Sequence, residues 1–342
     1  MPELFRSVEE LETALSEPSA AVIEMLRGLD GDILVLGAGG KMGPTLSRMA
    51  KRGSDAAETK RRVIAVSRFS STEERSKLEA NGIETVVCDL LDPDAVARLP
   101  EARNIVFMAG MKFGSSGNQA LTWAMNTAVP AQVARRFRGS RIAAFSTGNV
   151  YGLSPVLSGG SREDDAPLPV GEYAMSCLGR ERMFEHGSRS DGTAVSIIRL
   201  NYACELRYGV LVDLAQRVWR GGPIDLAMGR FNVIWQGDAN AWSLLTLMHA
   251  ATPPFVINVT GPETLSVKVV AQEFGDRMQR NPVFVGAESA TALLSNANRS
   301  RELFGDPRVT TAQMIEWIAE WTMSDGPTLA KPTHFENREG AF

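Results

Sequence analysis

Short apolar runs alternate with longer amphipathic ones along this chain. Ile33 to Leu36 is an unbroken apolar run, the pattern of a strand buried on both faces of a parallel sheet. Similar runs recur at Arg62–Ser67, Thr85–Cys88, Asn104–Met108, Arg141–Phe145, Thr193–Leu200 and Phe255–Val259. Helical spacing fills the gaps, at Thr45–Arg52, Thr72–Asn81, Pro93–Leu99, Asn118–Arg138 and from Tyr173 onward. Strands separated by helices predict an α/β fold, a doubly wound parallel sheet.

The flanks follow other patterns. Ser7-Val-Glu-Glu10 reads as a capping box that opens a helix through about Leu15. Pro18 to Leu29 reads as a second helix, with Val22, Ile23, Leu26 and Leu29 as its apolar stripe. Residues 1–31 are therefore expected to be a helical packing extension. Beyond Leu200 come a helix over Gly209–Arg220 and a Gly221-Gly-Pro223 stop. A strand at Phe231–Trp235, a helix opened by Gly237–Asn240 and another ending at Gln279 follow. Then come Val283–Val285 and a last helix holding Trp317 and Trp321. The expected division is a core over 32–200 and a smaller lobe over 201–323 with segments returning to the core. A tail over 324–342 is polar, and no element is predicted in it.

The turn after the first run carries Gly37, Gly39, Gly40, Lys41, Met42 and Gly43, then Pro44. Strand, glycine turn and helix follow in that order, with Gly53 as the expected helix stop. Glycine permits the tight turn and a close backbone approach to a pyrophosphate. The helix N-terminus offers free N–H groups and partial positive charge. This context points to dinucleotide binding. The end of the second strand is where the ribose is read, and an acid there would favour a free 2′-hydroxyl. Ser67-Arg68 stands there instead, and a hydroxyl plus a guanidinium suits a 2′-phosphate. NADP is therefore expected ahead of NAD. A solvated surface arginine is the plainer account of Arg68. Small residues at Ala109 and Gly110, after Met108, would let the backbone pass beneath the cofactor. Lys112, Ser115 and Ser116 in the next loop are candidates to line a substrate pocket.

Composition excludes more than it assigns. A net charge of −4, with 44% hydrophobic and 22% charged residues, gives no reason to expect nucleic acid or an anionic membrane. No apolar stretch approaches the roughly 18 residues of a membrane span. The first ten residues lack the apolar core of a signal peptide. Cys88, Cys177 and Cys204 are scattered, which suits a reducing cytoplasm, and His186, His249 and His334 are too sparse for a metal site.

Three ordered motifs carry a resemblance. Gly37-x-x-Gly40-x-x-Gly43, Ser146-Thr-Gly-Asn-Val-Tyr-Gly152 and Tyr173 with Ser176 are similar to those of the extended short-chain dehydrogenases/reductases. That family includes nucleotide-sugar epimerases and dehydratases, and the likeness spans roughly residues 32–323. It implies a Rossmann core with a C-terminal substrate-binding lobe. It also implies hydride chemistry on a hydroxyl or ketone of a carbohydrate-derived substrate. Thr147 falls where the family's hydroxyl bonds the reacting oxygen, and Tyr173 where its acid/base begins a helix. Asp89, followed by Leu90, matches an adenine contact, and Asn126 an asparagine kept in the preceding helix. Asn201 belongs to a segment that turns over the nicotinamide. The likeness further implies a homodimer paired through the helices at Asn118–Arg138 and Tyr173–Gly187.

One departure matters. The family places a lysine four residues after the tyrosine, on the same helical face. Its charge favours the phenolate, because a phenol of pKa about 10 is only about one part in a thousand ionised at pH 7. Here that position is Cys177, a neutral thiol. Three readings stay open. Arg180 or another cation reaches the site, Tyr173 acts unaided, or the protein is an NADP-binding sensor or scaffold with little catalysis.

Overall fold

Seven parallel strands form one sheet in the computed structural model, which describes residues 4–112 and 117–340. They are β1 (Ile33–Leu36), β2 (Val63–Ser67), β3 (Glu84–Val87), β4 (Asn104–Phe107), β5 (Arg141–Thr147), β6 (Ala194–Leu200) and β7 (Phe255–Val259). Their order is β7-β6-β5-β4-β1-β2-β3. Every residue of β1 is buried, as a strand covered on both faces requires. Leu36 at its end pairs with Phe107 on one side and Val66 on the other. The winding reverses here, and open α/β sheets bind ligands in the crevice beyond such a point. The α/β expectation and the doubly wound sheet are met.

Helices α1 (Val8–Leu15) and α2 (Ala20–Gly28) precede the sheet, and α3 (Gly43–Ala56), α4 (Thr72–Ala80) and α5 (Pro93–Ala97) join its first strands. Then come α6 (Gln119–Trp123), α7 (Val129–Arg136) and α8 (Gly171–Asp191). The later helices are α9 (Val210–Arg220), α10 (Gln236–Leu245), α11 (Val267–Met278), α12 (Asn298–Phe304) and α13 (Thr311–Met323).

Several local expectations are corrected. Ser7 caps the Glu10 N–H at 3.1 Å, but the Glu10 carboxylate takes the N–H of Arg6 at 2.8 Å, so only half the capping box forms. Helix α3 runs through Gly53 instead of stopping there. A Cβ at that position would lie 2.6 Å from Leu26, so the missing side chain lets α2 pack against α3. The helix expected over Asn118–Arg138 is interrupted by a π-helical turn at Ala124–Ala128. Phe231–Trp235 is not one strand. Arg230–Phe231 pairs with Leu265–Ser266, and Ile234–Trp235 with Ala203–Cys204. Helix α12 carried no apolar periodicity long enough to announce it.

One apolar cluster covers a sheet face through α2, α3 and α10, which contribute Leu26, Met49 and Trp242. A second covers the other face through α7 and α8, where Phe107 and Phe184 meet edge to face at 5.1 Å. A third builds the lobe from α9, α11 and α13. Leu11 and Leu15 of α1 belong to that third cluster, and Phe5 just ahead of α1 meets Trp317 edge-on at 4.9 Å. The extension thus joins two clusters, with the apolar stripe of α1 in the third and that of α2 in the first. Arg52 of α3 also donates to the Thr13 carbonyl of α1 at 2.7 Å.

The described part of the tail, through residue 340, packs against the lobe. Phe335 is buried and tilts toward Phe231, and Thr333 Oγ1 donates to Asp213 at 2.6 Å. Arg338 donates to the Thr291 carbonyl at 2.8 Å. Among the described residues no helix is long and apolar enough to cross a membrane, and no cluster of His, Cys, Asp or Glu could hold a metal ion.

Candidate active site

Two cavities, of about 240 and about 300 Å³, lie beyond the C-terminal ends of the strands. Both are lined by Gly37, Gly40 and Met108, so together they form one groove across the glycine turn. Gly37 has φ +89°, and a Cβ on it would stand 2.6 Å from the Ala109 nitrogen. A Cβ on Gly39 would stand 2.6 Å from Ser67 Oγ, and Gly43 is pressed against the Ala38 backbone. Gly40 is exposed and lines the groove, and a Cβ on it would meet the Gly37 carbonyl at 3.3 Å, a tight contact. Met42, the residue capping α3, makes no side-chain bond to the first-turn N–H groups. Bare backbone and uncapped N–H groups fit the phosphates of a dinucleotide.

The groove has two chemically distinct ends. At one, Ser67, Arg68, Asp89, Leu90, Ala109 and Gly110 form the walls. Arg68 is exposed, and Asp89 Oδ1 accepts the Leu91 N–H at 3.0 Å, which shapes its turn. At the other end Thr147, Tyr173, Asn201, Lys41 and Lys112 line the wall. Residues Ser115 and Ser116 lie outside the described residues.

Thr147 ends β5, and Tyr173 sits in the first turn of α8. Thr147 Oγ1 accepts from the Asn149 backbone at 3.2 Å and its side-chain amide at 3.0 Å. Its own hydroxyl proton is then free to bond the Tyr173 oxygen, with which it is paired. The Tyr173 hydroxyl also meets the Cys177 thiol. Burial pushes the Tyr173 phenol well above its ordinary pKa, and Cys177 adds to this, while Arg180 and Thr147 oppose it. Cys177 itself is buried among Val150 and Tyr151, and burial raises its thiol as well. It is therefore a neutral packing residue behind Tyr173, not on the groove surface.

Asn126 is also off the groove surface. The π-helical turn buries it completely, and its amide is spent holding other groups. It accepts the Met111 N–H at 2.9 Å and donates to the Met111 carbonyl at 3.0 Å and to Ser176 Oγ at 2.9 Å. It thus fixes the chain leaving β4 against α8. Arg199 is likewise buried, paired with Glu181 at 2.8 Å and donating to Tyr151 Oη at 2.7 Å.

Lys41 belongs to the glycine turn, yet its side chain crosses the groove. Its Nζ donates to the Ala203 carbonyl at 2.9 Å and lies 3.7 Å from the centre of the Tyr208 ring. Burial lowers its pKa to about 8, with Glu205 opposing. Burial does the same to Lys112, also to about 8. Asn149, Tyr208 and Thr333 line this end as well and were missed in the sequence. Tyr208 precedes Gly209 at the start of a strongly amphipathic helix, which was a usable signal. Thr333 had none except its neighbour Phe335, a lone aromatic in a polar tail.

No family model matches this chain, and no curated protein matches it. Solved structures do. WbmG of Bordetella bronchiseptica, in complex with NAD, superposes at TM-score 0.72 with 20% identity, over 90% of this chain and 98% of that one. UDP-glucuronic acid 4-epimerase of Bacillus cereus, with UDP-glucuronic acid and NAD, gives TM-score 0.70 and 17% identity, over 86% and 99%. UDP-glucose 4-epimerase of Thermotoga maritima, with UDP-glucose, gives 0.69 and 18%, over 86% and 99%. With nearly the whole of each of those chains superposed on this one, the chain has their fold, a Rossmann-type doubly wound sheet carrying a C-terminal lobe.

Proposed function

We propose that this chain is an extended short-chain dehydrogenase/reductase that acts on a hydroxyl or ketone of a carbohydrate-derived substrate with a nicotinamide dinucleotide. The observation that carries this reading is the pairing of Thr147 with Tyr173 at one end of a groove whose middle is the glycine turn. Gly37, Gly40 and the first turn of α3 would hold the phosphates. Ser67 and Arg68 would take the adenosine side with Asp89 and Leu90, and Asn201 would face the nicotinamide end. When bound, the nicotinamide supplies the acceptor or donor of hydride. Tyr173 moves the proton of the reacting oxygen, and Thr147 donates a hydrogen bond to that oxygen. The bound UDP-sugars of two structural neighbours make UDP-sugars the first substrates to test. Turnover of a UDP-sugar panel with either cofactor tests the reading.

A second reading, a cofactor-binding sensor or scaffold, is favoured by Cys177, which offers Tyr173 no charge. Tight cofactor binding with no turnover across the panel would select it.

Cofactor choice follows from Arg68, exposed at the groove edge with Ser67 beside it. NADP is proposed over NAD, although the neighbours were solved with NAD. Arg68→Ala is expected to weaken NADP by about 1.5–3 kcal/mol, the worth of a charge-assisted hydrogen bond. NAD affinity should barely change, and calorimetry with both cofactors would show it. Equal losses would remove Arg68 from the 2′-phosphate.

The proposal includes a homodimer in a reducing cytoplasm, where the three buried cysteines stay free. Leu121, Trp123 and Met175 are exposed on α6 and the start of α8, the helices expected to pair. A dimer mass by light scattering at micromolar concentration is the expected result, and a monomer mass would contradict it.

A further inference from the structure

We propose that Arg180 is the positioning residue for Tyr173, a buried and uncompensated charge that acts from two turns along α8 where a lysine would act from one. This rests on the reading of Tyr173 as the acid/base. Residues 173, 177 and 180 share a helical face, and seven residues advance the helix by about 10.5 Å. Side chains on a helix lean toward its N-terminus, so a long one at 180 reaches back toward Tyr173.

The guanidinium lies below the floor of the groove. Nη1 donates to the Phe145 carbonyl at 2.8 Å, and Nη2 to Asn126 Oδ1 at 2.6 Å. A Cβ on Gly110 would collide with Nη2, so the groove floor is cut away to admit this group. Both acceptors are neutral. Nε has no partner, Arg180 is 6% exposed, and no carboxylate pairs with it among the described residues. Arg199, equally buried, is neutralised by Glu181. Keeping a cation from water without a counter-charge costs several kcal/mol, and an apolar side chain of similar length would avoid that cost. The cost is explained where the charge is used.

The groups around Tyr173 leave Arg180 as the constant source of charge. Thr147 from β5 is uncharged, and the Cys177 thiol is held neutral by burial. Glu181, next on the helix, faces Arg199 and Ser146. Lys112, from the segment after β4, lies 5.9 Å from the centre of the Tyr173 ring, but its pKa of about 8 means its charge fades as pH rises. A guanidinium stays charged throughout that range.

The test replaces Tyr173 with 3,5-difluorotyrosine in the full chain, without any ligand, and follows the fluorine resonance against pH. The ionisation midpoint should rise by about one unit or more, a tenfold loss of phenolate, in Arg180→Gln and Arg180→Met. Arg180→Lys should keep most of the wild-type position, and Lys112→Met should move it little. Circular dichroism verifies each fold, and Arg180→Met keeps the apolar stem if the glutamine variant fails to fold. An unmoved midpoint in either folded variant overturns the proposal, as does an equal shift from Lys112→Met. If neither charge-free variant folds, the charge is a requirement of the fold and the proposal falls. If the midpoint moves but Tyr173→Phe leaves UDP-sugar turnover intact, the acid/base reading fails and the link between Arg180 and Tyr173 stands.

Discussion

Gly40→Asp should abolish cofactor binding and leave the fold standing. The other glycines of the turn cannot make this separation. Side chains at Gly37 and Gly43 would strike the Ala109 and Ala38 backbones, so their variants would report on folding as much as on binding. Gly40 is exposed on the groove, and a Cβ there would press only on the Gly37 carbonyl, at 3.3 Å, which a shift of a few tenths of an ångström relieves. A carboxylate there would stand where the phosphates are proposed to lie, and like charges brought together cost several kcal/mol. A loss of about 3 kcal/mol or more, beyond a hundredfold in affinity, is expected by calorimetry. The melting temperature of the free protein should change little. Undiminished affinity would mean that the dinucleotide does not cross this turn.

Tyr173→Phe should lower turnover by about 10²- to 10⁴-fold, the usual worth of a positioned acid/base, while cofactor affinity stays as it was. Only a hydroxyl is removed, and the ring keeps its place against Cys177 and Val150. The pH profile carries the same information. Because burial raises the phenol above its ordinary value, the ionised fraction at neutral pH is below that of free tyrosine. Each pH unit below the phenol's pKa then multiplies the phenolate tenfold. Wild-type turnover should climb from pH 6 to 9 with no plateau, and Tyr173→Phe should lose that slope. A flat wild-type profile, or a phenylalanine variant with full turnover, would transfer the proton chemistry to another group.

What could be read in the sequence was whatever depends on local order. β1, its glycine turn and α3 are contiguous, and each part constrains the next. The buried strands announced themselves as apolar runs because both faces of the sheet are covered. Thr147 and Tyr173 were named from the resemblance of their motifs, and they line the same groove end because one ends a strand and the other begins a helix at that edge of the sheet. The rest depends on contacts between distant segments. That Lys41 turns from its own loop to the Ala203 carbonyl follows from the lobe's position, which no local pattern encodes. The seating of Thr333 follows from one phenylalanine finding a pocket in the lobe. Gly53 was misread because a glycine that ends a helix and one that admits a neighbouring helix look alike in sequence.

The placement of α1 bears on the order in which the molecule assembles. Leu11 and Leu15 are buried in the lobe with α13, and Phe5 meets Trp317. The polar side of α1 meets the nearby α3, where Arg52 donates to the Thr13 carbonyl at 2.7 Å and Arg48 pairs with Glu12. The apolar stripe of α1 has its partners far along the chain, while the neighbouring α2 can dock at once on α3. Closing so long a loop is entropically slow, and contacts of this range tend to form late. The sheet can condense first, with α1 as an unsatisfied amphipathic segment until the lobe is complete. In that interval the stripe of Leu11 and Leu15 is the surface most open to misassociation. A nascent chain paused between β7 and α13 would be the species that most needs a chaperone.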